Sequence, residues 1–113
     1  MPDPKPEATR PAPEVFTLVV ELGRTPGDGL PEGAVGGALL CYASARSEAE
    51  AVRETVAVLK SAGLNPLEVT GQGTQAERRA AGEEIGAEDA DLMARAAAEN
   101  AVIVAQKTWY GQE

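Results

Sequence analysis

A chain of 113 residues with a formal net charge of −8, one cysteine and no histidine excludes several kinds of protein at once. A single cysteine allows neither an internal disulfide nor a multi-cysteine metal site, and the missing imidazole removes the commonest general base, zinc ligand and pH switch. The acidic balance repels phosphate backbones and anionic membrane surfaces. Of the ten Lys and Arg residues only Arg78 and Arg79 are adjacent, so neither a nucleic-acid nor a membrane partner is expected.

Residues 1–14, MPDPKPEATRPAPE, carry five prolines and no large apolar side chain after Met1. Such a stretch buries too little surface to offset its ordering entropy, so it reads as a disordered tail, leaving 15–113 as a single α+β domain. The N-terminus lacks the apolar core of a signal peptide and no run of about 18 apolar residues occurs. A cytoplasmic location is the resulting expectation. The Ala-, Gly-, Val-, Glu- and Arg-rich composition gives the impression of a GC-rich bacterial source.

Residues 15–22, VFTLVVEL, alternate with a period of two. Phe16, Leu18, Val20 and Leu22 fall on the side expected to face a core, and Val15, Thr17, Val19 and Glu21 on the other. Residues 23–37 hold six glycines and two prolines and read as a long loop. ALLCYA, 38–43, is apolar throughout and predicts a strand in mid-sheet.

A helix is predicted over about 47–62. Ser47 and Glu50 supply the capping-box spacing, Ala49, Val52, Val56 and Leu59 one apolar face, and Gly63 a left-handed stop. LNPLEVT, 64–70, predicts a strand with Leu67 and Val69 inward, and Pro66 places it at a sheet edge. Thr74 and Glu77 form a second capping-box pattern, opening a helix to about Glu84. A third helix is predicted from about Glu88 to Glu99, with Leu92, Met93, Ala96 and Ala97 inward and Asn100 as C-cap. AVIVAQK, 101–107, is the last predicted strand.

The order β-β-α-β-α-α-β predicts an α+β two-layer sandwich: a four-stranded, mostly antiparallel sheet with helices on one face. In element order it is similar to ferredoxin-like folds, with a helix pair where those have one helix. The helix pair is expected to bring the last strand back antiparallel to the third and beside it.

Gly71, Gly73 and Ala76 fit the G-x-G-x-x-A spacing of dinucleotide-binding loops. That fold requires a following strand ending in an acid about 20 residues on, and here those positions fall inside a predicted helix. The glycines therefore read as a turn before a helix capped by Thr74, with a small anion on the 73–76 amides and Arg78 or Arg79 as the weaker version. The stretch YASARSE, 42–48, offers Ser44, Arg46 and Ser47 at a strand-to-helix turn, although Glu48 and Glu50 already supply negative charge there. If the turns at 43–47 and 71–74 converge, Ser44, Arg46, Ser47, Gly73, Thr74 and Arg78 are the candidate ligand residues.

EEIGAEDAD, 83–91, places five carboxylates in nine residues without the spacing of an EF-hand, so no metal site is assigned. Cys41 lies in an apolar run, where burial opposes thiolate formation. Trp109 and Tyr110 bring two of the four aromatic residues together just past the last strand, a pairing favoured at interfaces.

No acid, base or nucleophile is visibly paired, so no catalytic residue and no cofactor is assigned, and an enzyme is the lesser reading. The leading expectation is a small non-catalytic interaction or self-association module, a homo-oligomer or the binder of a protein partner. It would use Val15, Thr17 and Val19 on a bare sheet face together with Trp109 and Tyr110. The alternative is a small-molecule- or anion-binding regulatory domain.

Overall fold

The computed structural model describes residues 12–111. The expected disordered tail therefore lies largely outside the described residues, and Glu14, which was assigned to it, opens the first strand. The strands are β1 Glu14–Gly23, β2 Ala34–Ala45, β3 Asn65–Thr74 and β4 Val102–Gly111. The helices are α1 Glu48–Ser61, α2 Gln75–Ala80 and α3 Ala87–Glu99. The predicted element order holds: the chain is α+β, with one four-stranded antiparallel sheet.

Strand order is β3-β1-β2-β4. The apolar β1–β2 hairpin occupies the centre, with Leu18 opposite Cys41 and Val20 opposite Leu39. Both β2 and β3 run antiparallel to β1, so they are parallel to each other with β1 between them. Helix α1 carries the chain across that gap. β3 takes an edge, as Pro66 implies, because a residue without an N–H breaks a ladder least where one side is unpaired. The last strand does run antiparallel to β3, but it pairs with β2 at the opposite edge. Strand order thus departs from the expected ferredoxin-like layout.

The helices also depart from the expected single layer. Phe16, Leu18, Val20 and Leu22 pack with Leu39, Cys41 and Ala43 against Ala51 and Leu59 of α1. Val15 and Tyr42, on the opposite face, pack with Met93 and Ala96 of α3. Alternation along the central strands supplies two apolar faces, and each receives a helix. Val15 and Thr17 are consequently buried, not part of a bare face. The uncovered part of that face begins at half-buried Val19.

Local chemistry explains most boundaries. Ser47 Oγ accepts from the Glu50 amide at 3.1 Å, while the Glu50 carboxylate reaches the Arg46 amide, one residue earlier than a full capping box requires. At the other end Leu64 N donates to Leu59 O and Gly63 N to Lys60 O, both at 3.0 Å, and Gly63 takes φ +88°. The buried stripe of α1 is Ala51, Thr55 and Leu59. It is rotated from the predicted one, so that Val52 and Val56 flank it and Ala49 is exposed. Thr74 and Glu77 complete their capping box, but α2 stops at Ala80, short of the predicted Glu84, and Gly82 takes φ +88°. Asn100 ends α3 in the left-handed conformation predicted for a C-cap.

Leu67 is the main error among the predicted core positions. Glu21 pairs with Glu68 and Leu22 with Pro66, which leaves Leu67 as the extra residue of a β-bulge, 65% exposed.

Candidate functional site

The loop 24–33 is tied together by one carboxylate. Asp28 accepts from Arg24 Nε at 2.8 Å, from the Thr25 amide at 2.9 Å and from the Leu30 amide at 3.0 Å. Arg24 also donates to the Ala34 carbonyl. The Arg24 guanidinium, with those two amides, holds the Asp28 carboxyl well below the usual carboxylate range. The sequence signal that could have found this knot is Asp-Gly in TPGDGL, since an Asp side chain readily accepts from amides within its own turn.

The turns at 43–47 and 71–74 do lie at the same end of the sheet, because β2 and β3 are parallel and both finish beside the start of β1. Ser44, Arg46 and Glu50 line a small depression of about 90 Å³ there. Their polar groups are already engaged in part. Ser47 caps α1, the Arg46 amide is held by Glu50, and Glu48 lies against Gly71, so two carboxylates occupy the place an anion would take.

Gly71 and Gly73 are strand residues, not a turn. Gln72 between them is a second bulge, since Thr17 pairs with Gly73 and Leu18 with Gly71. Gly73 takes φ +101°. The Thr74 amide donates to the Glu77 carboxylate at 2.9 Å. Arg78 donates to Thr17 Oγ1 and to Glu83, both at 2.9 Å. The six candidate ligand residues thus stand near one sheet end, but Arg78, Thr74 and Ser47 serve internal contacts.

A polar seam lies under α2 and α3. The Tyr42 hydroxyl donates to Asp89 Oδ1 at 2.8 Å. Burial, reinforced by Asp89, pushes the Tyr42 phenol up to about 12. This pair escaped sequence reading because 47 residues separate its members. The acidic run divides among these contacts: Glu83 meets Arg78 and Asp89 meets Tyr42. Among the described residues no three Cys, Asp or Glu side chains group to hold a metal ion. Burial pushes the Cys41 thiol up to about 11, which keeps it a neutral apolar group.

The end of β4 places Trp109 and Tyr110 on opposite faces. The Trp109 ring packs over Gly37, where an added Cβ would come within 2.6 Å of the indole. Tyr110 reaches across the other face and donates to Glu21 at 3.1 Å. Both remain more than a third exposed, at 38% and 39%. Strand β4 runs four residues past its predicted end, so these aromatics belong to an edge strand and not to a tail.

The outer side of β4 is open along its whole length, because β2 pairs with its inner side alone. From Gln106 to Tyr110 the pairing with β2 is unbroken, and one bulge, at Ala105, interrupts the strand further back. Lys107 is its one charged residue.

These features define a class: an α+β chain with a central hairpin, an edge strand on either side and helices on both sheet faces. Residues 15–111 match the family described as "Domain of unknown function (DUF8846)", and the chain belongs to that family. No curated protein and no solved structure matches it. Among the described residues no helix is long and apolar enough to cross a membrane.

Proposed function

We propose that this chain is a self-association module in which the β4 edge of one copy pairs with β4 of a second across a two-fold axis. The observation that carries this reading is the open outer edge of β4, whose pairing with β2 is unbroken from Gln106 to Tyr110. An edge strand presents a row of unsatisfied donors and acceptors that templates a further strand. Val102, Ile103, Val104, Thr108, Trp109 and Tyr110 are of the types that favour strands. An antiparallel pair of identical strands is self-complementary, so one patch serves both copies.

The chain's overall negative charge opposes association, but β4 contains no acid. A shallow hollow of about 190 Å³ lined by Val19, Ala38 and Leu40 with Gln106 and Thr108 continues the patch from the edge onto the open half of the sheet. This keeps Val19 and Tyr110 in the proposed surface and removes Val15, packed against α3, and Thr17, which is buried and bonded to Arg78 of α2.

The experiment is size-exclusion chromatography with light scattering over a wide range of concentrations. The expected result is a dimer that becomes monomeric in the Thr108→Asp, Tyr110→Asp double variant, because like charges brought opposite each other across a strand pair repel. A wild-type chain that stays monomeric at high concentration overturns the reading.

A further inference from the structure

On the α1 face of the sheet a cavity of about 310 Å³ opens between α1, the 24–33 loop and β4. It is lined by Leu30 from the loop, Leu39, Val104 and Trp109 from the sheet, and Leu59 from α1. Its size lies at the lower end of what small-molecule pockets span, and such pockets combine apolar walls with a few placed polar groups. Here the placed group is Lys107, which lines the cavity and forms no ion pair among the described residues. Asp28 also lines it, but that carboxylate is spent on Arg24, Thr25 and Leu30.

An ammonium beside an apolar recess, with no ion pair among the described residues, selects for a ligand with an apolar body and one negative end. We propose that this cavity binds a small amphipathic carboxylate, its hydrocarbon part between Leu39, Leu59 and Val104 and its carboxylate on Lys107 Nζ. The chain's overall charge does not forbid this, because exposed charges more than about 8 Å away are largely screened at physiological ionic strength. The proposal does not rest on self-association, which would use the backbone edge of β4, whereas the cavity is lined by side chains on the α1 face of the sheet.

The chain carries its own reporter, because Trp109 is its one tryptophan. Octanoate is titrated into the full chain while Trp109 emission is followed, with octanol as the uncharged analogue and acetate as the head group alone. The expected result is a saturable change with octanoate and none with acetate at the same concentration. Octanol should bind about tenfold more weakly, the factor that one charge-assisted contact of about 1.4 kcal/mol supplies.

Lys107→Gln should weaken octanoate by about the same tenfold factor while leaving octanol unchanged. Ala62→Phe, which places a ring at the cavity wall, should abolish both, with circular dichroism reporting that the fold is retained. Three outcomes overturn the proposal: no saturable change with octanoate, equal affinity for octanol and octanoate, or a Lys107→Gln variant that binds octanoate as wild type does. Because pairing of two copies through the β4 edge can itself change Trp109 emission, the titration is run at one fixed protein concentration.

Discussion

The two edges of the sheet are the same length and opposite in character. β3 is broken by bulges at Leu67 and Gln72, carries Pro66, Gly71 and Gly73, and has an exposed Glu68. Each of these is a device that discourages a further strand from adding. β4 has one bulge, no proline and no glycine before Gly111. A chain that guards one edge with two bulges, a proline and two glycines, and the other with one bulge and Lys107 alone, has a preferred side for contact. The difference also runs inward. The β4 seam is closed by backbone and a rigid ring, whereas the β3 side is met by a flexible carboxylate.

That inward contrast is the one most open to attack by substitution. Gly37→Ala pushes a Cβ to within 2.6 Å of the Thr108 carbonyl and the Trp109 ring, neither of which can move freely. It should cost about 1–3 kcal/mol in chemical denaturation. Gly71→Ala meets Glu48 at 1.8 Å, a shorter contact on paper, but against the far end of a side chain that can swing away. Its cost should stay under about 1 kcal/mol, and equal costs at the two glycines would erase the contrast.

Asp28 sharpens the comparison from the hairpin between the edges. Its folded-state pKa is depressed, so its contribution is present above the unfolded value of roughly 4 and is lost as pH falls from there towards the folded one. Asp28→Asn should therefore lower the urea midpoint at pH 7. The gap from wild type should narrow at pH 3, and a constant gap would show that the carboxylate charge contributes nothing.

Leu67→Gln should change stability by no more than about 0.5 kcal/mol and leave the association state alone, because the side chain stands on a bulge in water. A loss of association with this variant would move the contact to the guarded edge. The opposite sign is expected at Thr55, whose Oγ1 is buried in α1 without a hydrogen-bond partner among the described residues. Thr55→Val should be neutral or stabilising by up to about 1 kcal/mol in thermal melts, since it removes an unsatisfied hydroxyl while keeping the shape.

The parts of this fold governed by near neighbours were legible in the sequence. Ser47, Thr74, Gly63 and Asn100 mark helix ends through contacts spanning a few residues, and period-two alternation marked β1. What escaped depends on distant partners. Thr55 was passed over for the larger Val52 and Val56 because hydrophobicity, not the direction of packing, governed the predicted stripe. The glycines at 71 and 73 read as a turn in sequence because a bulged edge strand uses the same residues. The second helix layer was missed because Val15 and Thr17, a valine and a threonine, suit a half-open face as well as a covered one; Met93 and Ala96 decide the matter. For the candidate ligand residues, a shared sheet end is suggested because both turns end a strand and open a helix, whereas the internal hydrogen bonds of Arg78 leave no local signal. The cavity beside Lys107 needs Leu30, Leu59 and Trp109 together, three positions that no periodicity links.

The placement of β4 also sets an order of events as the ribosome delivers the chain. The hairpin can close as soon as Ala45 has emerged, yet Ala43 must wait for Val102 before its second neighbour exists. During that interval the most apolar strand of the molecule presents a bare flank. At a synthesis rate of about 5–20 residues per second the wait lasts several seconds, long compared with collapse and long enough for a chaperone to matter.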